Sequence, residues 1–134
     1  MRPAALVDTN VASYVLGRKP EAALYADDLR DRELCVSFHT VAEMMLGAEQ
    51  KQWGPRRRRE LAAFIQDHLL IVPKMVTIET WVRMVATMER AGYSIEERDS
   101  WIAATALAND LTLIAHDRVF RYVPNLKLIC HLPN

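Results

Sequence analysis

The sequence is poor in most of what would make a chain anything but an ordinary folded domain. Its 134 residues include only 2 cysteines, 4 glycines and 6 prolines. So little glycine and proline excludes a fibrous repeat and argues against disorder. Cys35 and Cys130 share no CxxC spacing and have no histidine pair at zinc-ligand spacing. They read as free buried thiols in a reducing compartment. No apolar run reaches the roughly 18 residues needed to cross a bilayer. The opening stretch, Met1 to Asp8, is too short and too soon interrupted for a secretory signal. The expectation is a cytoplasmic protein without a membrane partner. Net charge is also missing, because 17 Lys and Arg balance 17 Asp and Glu. That balance lends no support to a stoichiometric nucleic-acid binder, which is usually basic. It leaves room for an enzyme that touches a polyanion only in passing.

What is present suits one domain over residues 1–134. Hydrophobic residues make up 51% and charged residues 25%, enough for a real core. Ala4–Val7 reads as a first strand, followed by a helix from Val11 to Leu16 that ends at Gly17. Pro20 opens a second helix to about Leu29. Leu34–Ser37 is a second strand. The helix His39–Glu49 turns Val41, Met45 and Ala48 to one side. The helix Arg56–His68 carries a stripe of Leu61, Phe64 and Ile65 that continues to Leu69. Leu70–Val72 is a third strand. Thr77 starts a helix to Ala91, with Trp81, Met84, Val85 and Met88 inward and Gly92 after it. Asp99 or Ser100 begins the helix that runs to Asn109. Thr112–Ala115 and Lys127–Cys130 complete the set of strands. Strands alternating with helices predict an α/β fold, with a mainly parallel central sheet of about five strands flanked by helices on both faces.

Four acids stand where strands give way to helices or loops, or within about a turn of such points: Asp8, Glu43, Asp99 and Asp117. In an open α/β sheet those points share one edge, so acids far apart in sequence can meet. Each also has a plainer reading. Asp8 and Asp99 suit helix caps, Asp117 suits a turn, and Glu43 suits the solvent side of a helix. A cap explains one polar residue but not a series after successive strands. Gathered carboxylates repel and need protons or a cation between them. Oxygen ligands suit magnesium or manganese, and one or two such ions can activate water and polarise a phosphate. His39, His68, His116 and His131 form no recognisable ligand set, although His116 stands beside Asp117. The run Arg56 to Arg59 reads as a solvated helix start. Arg98, Arg118 and Arg121 lie nearer the acids and are the expected substrate contacts. Trp81 and Trp101 read as core, and Trp53 as a candidate stacking surface.

These segments, in this order, resemble the PIN-domain proteins, specifically the VapC-type ribonuclease toxins of bacterial toxin–antitoxin pairs. The resemblance spans almost the whole chain. It rests on Leu6-Val7-Asp8-Thr9-Asn10, on Val41-Ala42-Glu43 with Leu46-Gly47, on Asp99 to Ala106, and on Leu113 to Phe120. It implies a parallel sheet flanked by helices, with magnesium or manganese held by Asp8, Glu43, Asp99 and Asp117. It implies endonucleolytic cleavage of RNA, often transfer or ribosomal RNA. It also implies a small cognate antitoxin bound in a groove, and a homodimer. Two positions depart from the family pattern. Ala115 stands where a hydroxyl is frequent, and Val119 where a second acid is frequent.

Two other readings compete. One is a PIN-fold binding module with a weak site, acting through its antitoxin complex. The other is a phospho-accepting receiver domain. The receiver wants an acid after the third strand, where Pro73 stands, and a lysine after the fifth, where none follows. Residue types alone do not separate RNA from DNA as substrate, since the same ions serve both reactions.

Overall fold

Four small or branched apolar residues, Ala4–Val7 (β1), form the middle strand of the sheet in this computed structural model, which describes residues 2–134. Met1 lies outside the described residues. The other strands are Glu33–Ser37 (β2), Leu69–Ile71 (β3), Thr112–Ile114 (β4) and Leu128–Ile129 (β5). Their order is β3-β2-β1-β4-β5, and every pairing is parallel. Val7 pairs with Val36 on one side and Ile114 on the other, so β1, β2 and β4 end together.

The helices are Thr9–Leu16 (α1), Ala26–Leu29 (α2), Phe38–Gln50 (α3), Pro55–Gln66 (α4), Met75–Arg90 (α5) and Glu97–Ala108 (α6). The segment after Pro20 differs from the expected continuous helix. It is a 3-10 turn, Pro20–Tyr25, followed by the single turn of α2. A second 3-10 turn, Arg118–Tyr122, follows β4.

Alternation along the strands divides the core in two. Ala5, Val7, Val36 and Ile114 face a cluster closed by α1, α3 and α4. Leu6, Cys35, Leu113 and Ala115 face the other, closed by α5 and α6. Parallel strands buried on both faces read as continuous apolar runs, as β1 does. Helix α6 lies close to the sheet because Ala103, Ala104 and Ala106 present nothing larger than a methyl group, and all three are fully buried.

Some facing residues differ from expectation. In α3 it is Met44, not Met45, that is buried with Val41 and Ala48, and Met45 is exposed. Leu69 belongs to β3 rather than to the α4 stripe, and it is exposed on the sheet edge. Thr77 is not the cap of α5 but its third residue, and its hydroxyl accepts the Lys74 N–H. Cys35 is buried and Cys130 half-buried, both as free thiols. No helix among the described residues is long and apolar enough to cross a membrane.

Candidate active site

Asp8 follows β1 directly and is 3% exposed. Its Oδ1 accepts the Val11 N–H at 2.8 Å, which caps α1. Its Oδ2 accepts the His116 N–H at 3.2 Å, across from the end of β4. The helix-cap reading is therefore true of Asp8, but it accounts for one oxygen only. Burial pushes this carboxyl up to about 7. The two N–H groups oppose that rise, and the charges of Asp99 and Asp117 add to it.

Asp99 lies in the first turn of α6, whose cap is Glu96. It is half-buried, and its carboxyl is pushed up to about 6, first by burial and then by Asp117. Arg98 pulls it down, while Glu96 and Glu43 push further. Asp117 caps the 3-10 turn that follows β4, with Oδ1 accepting the Val119 N–H at 3.0 Å. Glu43 reaches in from α3. Its Oε1 accepts the Thr9 hydroxyl at 3.1 Å and its Oε2 accepts Arg98 at 3.3 Å.

The four acids thus come from the ends of β1 and β4, from the second turn of α3 and from the first turn of α6, and they act on one another electrostatically. They do not form a closed cage. Among the described residues, no three Asp, Glu, His or Cys side chains stand as a ready ligand group. An all-oxygen set that is partly desolvated and open suits a hard, hydrated cation, which takes one or two direct carboxylates and keeps its waters. Such a cation would also favour the ionised forms of Asp8 and Asp99, which burial opposes. Three of the histidine rings are engaged elsewhere, His68 on the Phe64 carbonyl, His131 on Asp28 and His116, through Nδ1, on the Tyr25 hydroxyl, while His39 lies in the field of Glu43.

Two supporting groups escaped the sequence reading. The first is a line of hydroxyls. Ser37 donates to Thr40, Thr40 to Thr9, and Thr9 to Glu43, over 3.3, 3.0 and 3.1 Å. Ser37 and Thr40 are buried, so the line ties Glu43 to the end of β2. It also places a hydroxyl beside the acids, while the Ala115 methyl is buried in the second core. A Ser-x-x-Thr start to α3 was visible, but its reach to Thr9 is tertiary. The second is Tyr25, fully buried, whose hydroxyl donates to the Ala115 carbonyl at 3.1 Å. The same oxygen accepts the His131 N–H at 3.0 Å and lies 2.6 Å from His116 Nδ1. Tyr25 therefore fixes the segment that presents the His116 N–H to Asp8.

The expected substrate arginines divide. Arg98 stands at the site, bridging Glu43 and Glu96. Arg118 and Arg121 are turned to the C-terminal segment, where Arg118 donates to Pro133 at 2.8 Å and Arg121 to the carbonyls of Cys130, Leu132 and Pro133. Trp53 is no open stacking surface, because the Arg57 guanidinium covers its ring at 3.9 Å. Trp81 and Trp101 are half-buried and stack at 4.5 Å, joining α5 to α6.

The family model for the PIN domain matches residues 5–126. "Ribonuclease VapC2" of Haemophilus influenzae is 28% identical over 112 residues, covering 84% of this chain and 85% of its own. "Plasmid stability protein StbB" of Pseudomonas syringae is 31% identical, covering 84% and 86%. The "tRNA(fMet)-specific endonuclease VapC" of Shigella flexneri is 23% identical over 91% and 93%. Among solved structures, VapBC-1 from nontypeable Haemophilus influenzae superposes with a TM-score of 0.81 at 25% identity, over 95% of this chain and 97% of that one. VapBC2 from Rickettsia felis, bound to a promoter DNA fragment, superposes at 0.84 and 21% identity, over 95% and 98%.

Proposed function

The chain belongs to the PIN domain family, and from that membership we propose a magnesium- or manganese-dependent endoribonuclease, the toxin of a toxin–antitoxin pair. One observation carries the reading. Asp8, Asp99 and Asp117 lie within one another's electrostatic field where the parallel strands end, and burial resists the ionisation of Asp8 and Asp99. Structural carboxylates are usually relieved by arginine, and among the described residues Arg98 is the one cation paired with an acid of this set.

Asp8, Glu43, Asp99 and Asp117 are the residues that would hold the ion. When bound, it supplies a hydroxide near neutral pH and steadies the charge that develops on a phosphate. The chain's own residues do the positioning. Two backbone N–H groups fix both oxygens of Asp8. Thr9 and Arg98 hold the two oxygens of Glu43. Burial around Asp8 keeps bulk water from screening the site.

The substrate we propose is RNA, and transfer RNA is favoured by the name of the Shigella relative. The partner is a small cognate antitoxin, as in the solved VapBC assemblies. A homodimer is supported by an apolar face along the edge strand β3 and the start of α5. There Leu69, Leu70, Val72, Met75, Val76 and Val82 are all about half exposed or more. An unpaired sheet edge that carries exposed apolar residues invites a partner. Free thiols fit a cytoplasmic setting.

Purified protein given manganese should cut RNA, and Asp8→Asn should not. The second reading, a PIN-fold binding module with a weak site, is favoured by the ion pair that Arg98 makes with Glu43. RNA binding that survives chelation, with no products at any manganese concentration, would select it.

A further inference from the structure

Beside the acids, α1, α3 and α4 enclose a cavity of about 620 Å³. Thr9 and Glu43, already part of the site, belong to its wall, so the cavity and the acidic centre are continuous. The rest of the wall is unlike the chain as a whole. Arg18, Lys19, Lys51, Arg56 and Arg57 line it, against the carboxylates of Glu43 and Glu60. Glu60 is taken by Arg56 and Glu43 by Arg98. Among the described residues no carboxylate pairs with Arg18, Lys19, Lys51 or Arg57. A chain with no net charge has thus gathered four uncompensated cations along one cavity. Trp53, also on the wall, keeps a buried indole N–H that no protein atom accepts.

We propose that this cavity seats the sugar-phosphate backbone of the RNA strand on one side of the bond to be cut, with Arg18, Lys19, Lys51 and Arg57 as its phosphate contacts. The proposal rests on the ribonuclease reading and adds where the substrate lies. Cations of this kind position a strand without reading its bases. They also offset the repulsion a polyanion meets at a cluster of carboxylates. The assignment accounts for Arg118 and Arg121 being committed to the C-terminal segment. The phosphate contacts lie instead on the loops after α1 and α3 and at the start of α4, where the run of arginines from Arg56 finds a use.

The test is the salt dependence of binding by a fluorescein-labelled 12-residue single-stranded RNA. It is measured in chelator, in the Asp99→Asn background so that nothing is cut. Arg18→Asn with Lys51→Gln removes two contacts at side chains that hold no ion pair. Arg32→Gln with Arg90→Gln removes the same charge elsewhere. Each lost phosphate contact lowers the slope of log affinity against log salt by about 0.7 for single strands. The first pair should therefore flatten the slope by about 1.4 and weaken binding at low salt at least tenfold. The control pair should leave both near the parent values. Equal slopes for the two pairs would overturn the proposal. So would unchanged RNA affinity with weakened binding of a labelled oligoglutamate peptide, which would make the cavity a protein seat. Should the double variant unfold, Lys19→Gln alone reads half the change. A wild-type protein that binds RNA through these cations but never cuts it would sink the ribonuclease reading and leave the seat standing.

Discussion

The backbone N–H of His116 donates to Oδ2 of Asp8 across 3.2 Å, joining the ends of β4 and β1 over 108 residues of sequence. With the Val11 N–H on Oδ1, it holds a carboxylate almost out of water beside two others. Such a group is costly to ionise without a neighbouring cation.

Asp8→Asn should abolish RNA cutting, by about a thousandfold or more, because it removes the most buried acid of the set. Folding should survive. The amide oxygen keeps one of the two N–H bonds, and leaving the other buried donor unmet costs about 1–3 kcal/mol, which relief of the buried charge offsets in part. Wild-type protein should gain several degrees of melting temperature in millimolar manganese, and the variant should gain none. A shift of equal size in both would remove Asp8 from the ion's ligands.

Stability without metal should fall as pH rises. The carboxyls of Asp8 and Asp99 are raised in the folded state, to about 7 and about 6, from 3.8 in the open chain. Their folded state is favoured while they keep their protons, fully so below about pH 4, and that advantage is lost as pH climbs through 6 to 7. Calorimetry in chelator should show the melting temperature dropping across this window, with a shallower drop in Asp8→Asn. Manganese affinity should rise over the same window, since binding displaces protons.

Arg98→Gln should leave stability nearly unchanged, since its bridges to Glu43 and Glu96 are exposed and such pairs contribute at most about 1 kcal/mol. Its effect belongs to the site. Arg98 lowers the Asp99 carboxyl, so its loss should move the acidic limb of the pH–rate profile to higher pH. An unmoved limb would separate Arg98 from the titration of Asp99.

Thr9→Val deletes the hydroxyl that donates to Glu43 and accepts from Thr40. It should cost about 1 kcal/mol of stability. It should lower kcat about tenfold with little change in KM, because Glu43 loses its anchor rather than its charge. Thr9→Ser should restore the rate, which a purely structural role for the residue would not require.

Met75→Glu places a charge in the middle of the apolar face formed by β3 and α5. Met75 is 65% exposed, so the fold should tolerate it. Analytical ultracentrifugation should find the parent near twice 15.3 kDa and the variant near 15.3 kDa. A monomeric parent would dismiss this face as a homodimer surface.

Much of this was legible in the sequence because the signals were local. Apolar runs placed all five strands to within two residues, and their alternation with helices gave a parallel sheet. Pro20 misled because proline also opens 3-10 turns, and Ala22 to Tyr25 never reach a full α-helical stretch. Met45 and Met44 were interchanged because neighbouring methionines fit one helical stripe equally well. Arg118 and Arg121 lie near Asp117 in sequence, yet their partners are the carbonyls from Cys130 to Pro133, which no periodicity reveals. The links from Thr9 to Thr40 and from Tyr25 to His116 each cross a gap in sequence of more than thirty residues, so only the folded chain shows them.

Placing β1 in the middle of the sheet has a consequence for how the acidic centre is assembled. Asp8 and Asp117 stand far apart in sequence, and the pairing of β1 with β4 sets them beside each other. A chain whose β4 has not joined the sheet carries half of the centre, so the site comes into being only with that long-range pairing.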